Sequence, residues 1–143
     1  MLIIGGCLLA QWIAALLAPS AWWTPDLLLI GMILAIRARP SRWMAYALAA
    51  ALSQLAWAVR PWPLLLSHLV VAGFVSLAFT RWDPNDRRLQ LMVVGIAGAV
   101  PLGVMLWVEA LWSLPLLGCA AWRLSLTVMC FPLLRRLVST PVF

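Results

Sequence analysis

The chain has no lysine, four acidic residues and one histidine, set against ten arginines in 143 residues. Asp26, Asp83, Asp86 and Glu109 are its whole stock of carboxylates. They include no paired set for general acid and base work. There is also no Ser/His/Asp combination, no HExxH and no glycine-rich phosphate loop, so an enzyme is not expected. Cysteine is scarce too. Cys7, Cys119 and Cys130 are odd in number, scattered, and each set in an apolar run. With no CxxC and no Cys/His cluster, a disulfide framework, a metal site or a bound cofactor is not expected, and the thiols read as small hydrophobes. The first apolar run lacks a basic region before it, and further runs follow, which argues against a cleaved signal peptide.

What is abundant is apolar: 66% of the residues are hydrophobic and the mean hydropathy is +1.04. A soluble domain of this length has no core large enough to hide that surface, so the class is an integral membrane protein. A pI near 11.1 would point to nucleic acid in a soluble chain. Here the arginines fall between apolar runs, so they read as topology determinants facing anionic lipid, and no nucleic acid is expected. Trp12, Trp22, Trp23, Trp43, Trp62, Trp82 and Trp112 fall near the ends of apolar runs, as interfacial anchors do.

The runs predict an all-α polytopic domain of six transmembrane helices, at about 1–18, 22–36, 43–59, 64–80, 89–108 and 116–134. The apolar centre of the second is bounded by Trp22-Trp23-Thr24-Pro25-Asp26 on one side and Arg37-Ala38-Arg39-Pro40 on the other, with an acid at its positive dipole end and arginines at its negative end. It is short for a bilayer and is expected as an oriented helix near the outer rim of the bundle. The third is rich in alanine and is expected as an interior packing helix. Arg60-Pro61-Trp62-Pro63 predicts a tight turn, since prolines at alternate positions interrupt helical hydrogen bonding. Arginines in the first, third and fifth connections number none, one and none; the second, fourth and C-terminal tail carry three, three and two. By the positive-inside rule both termini are cytoplasmic.

Polar groups inside the spans are few, and each is a functional candidate because charge in a bilayer is costly. Arg123 lies about two turns into the last span, where it either pairs with Glu109 or snorkels toward the headgroups. Gln54 and His68 stand in neighbouring spans and are expected to hydrogen-bond across them as interhelical glue, the alternative being a ligand or proton site. Gln11, Ser53, Ser67, Ser76, Ser125 and Thr127 complete the set.

Two stretches carry a family resemblance. Pro25-Asp26-Leu27-Leu28-Leu29, followed by an apolar run and a basic turn, resembles the second span of the rod shape-determining protein MreD family. Trp122, the run to Phe131-Pro132-Leu133-Leu134, and Arg135-Arg136-Leu137 resemble that family's last helix. The third span departs from the family: it has alanines where spaced glycines precede an aspartate, with Gln54 near the acidic position, so the chain is similar to a divergent member.

The resemblance implies a non-enzymatic scaffold subunit of the bacterial cell-elongation machinery in the cytoplasmic (inner) membrane. It would bind an MreC-like single-span partner and, through it, the glycosyltransferase and transpeptidase of lateral peptidoglycan synthesis and the actin-like MreB. The implied fold is similar to the six-helix substrate-binding components of energy-coupling-factor transporters. That likeness supplies the alternative, a small-molecule-binding transporter subunit; an accessory subunit of another bacterial membrane complex is a third. The short, apolar external connections offer little polar lining for a ligand, which favours the scaffold. Expected partner contacts are the Arg81–Arg88 connection and the lipid-facing helix surfaces, with Asp26 a helix-start residue first and a partner contact second.

Overall fold

The computed structural model describes residues 2–18, 23–55, 61–108 and 113–139. These form α1 (Leu2–Leu17), α2 (Leu27–Ala38), a 3-10 turn (Pro40–Arg42), α3 (Trp43–Leu55), α4 (Pro61–Arg81), α5 (Arg87–Val108) and α6 (Leu114–Ser139). The described residues are thus all-helical, in the order the apolar runs predict.

Local chemistry explains the boundaries. Asp26 is the N-cap of α2: its carboxylate accepts the Leu29 N–H at 3.0 Å, satisfying a donor the first turn would leave unpaired. The helix stops at Ala38 because Pro40 disfavours helical geometry in the residue before it, and Arg39 is accordingly extended at φ −144° and ψ 82°. Pro40 then opens the 3-10 turn that leads directly into α3, and Ser76 of α4 donates to the Pro40 carbonyl at 3.2 Å. In the α4–α5 connection Asp83 accepts the Asn85 N–H and Asp86 accepts the Arg88 N–H, both at 2.9 Å, turning the chain and starting α5.

Three expectations need correction. Pro61-Trp62-Pro63 is the first turn of α4 and not a separate turn. First-turn residues have no intrahelical acceptor for their N–H groups, so prolines there remove nothing. The last helix does not end before Arg135-Arg136 but carries both in its helical body to Ser139. Most consequential, α2 is not at the rim. It packs against all five other helices, and every residue from Leu28 to Ile36 is buried. Its 12 residues span about 18 Å, well under a bilayer core of roughly 30 Å. A helix enclosed by other helices is not held to the span length that lipid contact requires.

Burial is tightest against α1. At Gly31 an added Cβ would lie 2.8 Å from both Cβ and Sγ of Cys7, so only glycine admits α1 at this distance. The alanine-rich α3 is half interior: Ala47, Ala50 and Ala51 are fully buried, whereas Met44, Leu48 and Leu52 are exposed. Exposed large apolar side chains occur on α1, α3, α4, α5 and α6 but not on α2. They include Leu16, Leu52, Val70, Met92 and Met129, an exterior suited to lipid rather than water. Trp12, Trp23, Trp62 and Trp82 are exposed as expected of anchors, whereas Trp43 packs on the core; Trp22 and Trp112 lie outside the described residues.

Candidate functional site

Among the described residues, long-range polar contacts gather at both ends of the buried helix. At the start of α2, Gln11 of α1 accepts the Leu27 N–H at 2.7 Å through Oε1, and its Nε2 donates to Thr24 at 3.4 Å. The Asp26 N–H donates to Thr127 Oγ1 of α6 at 2.9 Å, and that hydroxyl donates to the Arg123 carbonyl one turn back, at 2.8 Å. Arg123 itself faces Asp26, Nη2 to Oδ2, at 3.7 Å, with the two side chains 18% and 20% exposed. Trp23 meets Trp122 edge to face, ring centroids 6.2 Å apart. Asp26 thus uses one carboxylate oxygen to cap its helix and the other to face a cation, while α1 and α6 close over the first turn. Such an arrangement positions helices; both Asp26 oxygens are committed to internal contacts.

At the other end the same helix finishes among arginines. Arg37 Nη2 donates to Asn85 Oδ1 of the α4–α5 connection at 2.9 Å. Gln90 of α5, 2% exposed, donates to the Pro84 carbonyl and accepts from Arg135 Nη1 of α6, the latter at 2.6 Å. Arg37 and Arg135 are near enough for their charges to repel. Arg37 Nε is buried without an acceptor among the described residues. Between α5 and α6 a cleft of about 310 Å³ opens here, lined by Arg87, Gln90, Leu91, Phe131, Pro132, Arg135 and Arg136. Since Asp26 meets α6 at Thr127 and Arg37 approaches it at Arg135, α2 and α6 run in the same direction.

The expected site residues fare differently. Asp26 and Arg123 are brought together, a pairing the sequence reading did not contain, while Arg123 Nε is buried without a partner among the described residues. Glu109, its expected partner, lies outside the described residues, as does the side chain of Gln54. His68 is 1% exposed and its Nδ1–H donates to the carbonyl of Leu64 in its own helix at 2.9 Å. Its Nε2 is buried without a partner among the described residues. Within the Arg81–Arg88 connection, Asn85 is engaged internally by Arg37, while Arg81, Trp82, Arg87 and Arg88 face outward. Sequence reasoning missed Gln90. The signal was present: a polar side chain one turn into an apolar helix, two residues past Arg88. Among the described residues no group of three His, Cys, Asp or Glu side chains could hold a metal ion.

The fold defines a helical protein of membrane character. Stretches within α4, α5 and α6, at Trp62–Arg81, Arg87–Val108 and Leu114–Val138, are long and apolar enough to cross a bilayer, and two shorter apolar helices, Ile3–Leu17 and Leu27–Ala38, accompany them. No family model, curated protein or solved structure matches the chain.

Proposed function

We propose that this chain is a six-span scaffold subunit of the bacterial cell-elongation machinery in the cytoplasmic membrane, non-enzymatic and similar to MreD proteins, binding an MreC-like single-span partner. The observation that carries the reading is the junction of the two stretches bearing the resemblance. Asp26 of the Pro25–Leu29 stretch faces Arg123 and Thr127 on the last helix, and Trp23 packs on Trp122. Two sequence features chosen for family likeness are therefore one structural unit. The polar groups at that junction serve to join helices, as a scaffold requires, while five helices present apolar faces to lipid and to other membrane proteins.

The parallel course of α2 and α6 agrees with alternate crossing, in which even-numbered spans run the same way. In this reading the Arg37 end is cytoplasmic, and the exposed Arg81–Arg88 face is available to partners. Affinity purification of the tagged full chain from its native host should recover a single-span protein with a periplasmic coiled coil. Recovery of an ATPase pair with a bound vitamin would replace the reading with the transporter alternative. Topology is checked by single cysteines at Ser41 and Ser113, both exposed, with Cys7, Cys119 and Cys130 replaced. Only Ser113→Cys should react with an impermeant reagent from outside.

A further inference from the structure

The cleft at the Arg37 end carries three guanidinium groups, from Arg87, Arg135 and Arg136, and none of its lining residues is acidic. The nearest carboxylate along the chain, Asp86, accepts the Arg88 N–H through Oδ1 at 2.9 Å and does not line the cleft. Arg135 is held in place: the buried Gln90 accepts from its Nη1 and is itself anchored on Pro84. Like-charge repulsion from Arg37 raises the local demand for an anion. One wall of the cleft is apolar, formed by Leu91 and Phe131, and exposed Leu133 and Leu137 continue along α6 beside it. Guanidinium groups suit phosphate oxygens because their donors are planar and forked. A phosphate joined to acyl chains would use both the charged floor and the apolar flank, and basic clefts between membrane helices commonly serve this purpose.

We propose that the Arg87–Arg135–Arg136 cleft between α5 and α6 is a binding site for the phosphodiester headgroup of an anionic membrane lipid. The site goes beyond the scaffold reading and depends only on membrane residence, so it stands or falls separately from recovery of an MreC-like partner.

The full chain, purified in mild detergent, is loaded with mixed micelles of phosphatidylglycerol or phosphatidylcholine. Retained lipid is then counted by native mass spectrometry and thermal stability recorded alongside. Arg135→Gln also breaks the Gln90 contact, so the test rests on the double variant Arg87→Gln/Arg136→Gln, at two exposed positions. Wild type is expected to retain phosphatidylglycerol over phosphatidylcholine by about tenfold, given two or more arginines near the headgroup. The double variant should lose that preference, while Arg42→Gln, an exposed arginine outside the cleft, should keep it. Equal retention of both lipids by wild type, an unchanged preference in the double variant, or equal loss in Arg42→Gln would overturn the site. In a separate arm, inorganic phosphate should not stabilise the protein. Stabilisation matching that of phosphatidylglycerol would assign a soluble anion and overturn the lipid.

Discussion

The two ends of α2 are built from similar parts and reach opposite electrostatic results. At the first, one carboxylate meets one guanidinium, and neutral Gln11 and Thr127 serve the backbone groups of the opening turn. At the second, Arg37 and Arg135 face, among the described residues, the neutral acceptors Asn85 and Gln90, with two further arginines lining the adjacent cleft. The first end ties the buried helix to α6, whereas the second ties it to the α4–α5 connection through Asn85 and only approaches α6 at Arg135. At the Asp26 end a carboxylate faces the cation, although Arg123 Nε is buried without a partner among the described residues, whereas the cleft at the Arg37 end has arginines and no acid among its lining residues. One helix can therefore be seated by its closed end and oriented by its open one.

The most damaging way to test this comparison is to unseat the helix between its ends. Gly31→Val places a branched side chain where even a Cβ lies 2.8 Å from Cys7. A loss of about 1–3 kcal/mol or more is expected from such overpacking, read as a large drop in melting temperature in detergent. Retained stability would mean that α1 is not held at this distance. Asp26→Ala comes next, with an expected loss of about 1–2 kcal/mol from the missing cap. Asp26→Asn sharpens the result, since asparagine caps equally well but removes the charge. If it costs less than half as much, the cap outweighs the 3.7 Å ion pair.

At the other end Gln90→Leu should cost about 1 kcal/mol, because it leaves Arg135 without its acceptor, and denaturant titration would register the shift. Arg37→Gln is expected to have the smallest effect, near zero or slightly stabilising in neutral detergent. It removes a like charge facing Arg135 and forfeits only the contact with Asn85. A substantial loss from Arg37→Gln would show that both ends work by the same closed pairing, and the contrast between them would collapse.

Helix order was readable from the chain because it depends on local terms. Apolar runs, the Asp26 cap, and the Pro40 stop act within a few residues, so the predicted spans and the observed helices differ mainly at their ends. Pro61-Trp62-Pro63 was misread since proline's effect depends on whether it opens a helix or interrupts one, and pattern alone did not place that boundary. The Asp26–Arg123 pairing joins residues 97 positions apart. For Arg123 the sequence offered either snorkelling or Glu109, because nearness along the chain was the only guide to a partner. Gln90 escaped notice because its worth comes from Arg135 and Pro84, two elements that meet only in the folded bundle.

By itself the sequence determined that this is a helical chain with too much apolar surface for water, and that its arginines cluster at alternate connections. Composition and charge placement are additive properties, legible without any contact. Only the tertiary structure decided that the short second helix is the core rather than a rim element. Twelve residues with the hydropathy of a lipid-facing span look alike whether lipid or protein surrounds them. What separates the two is whether the other helices pack around them, and that is settled by fits such as Gly31 against Cys7, made between residues far apart in the chain.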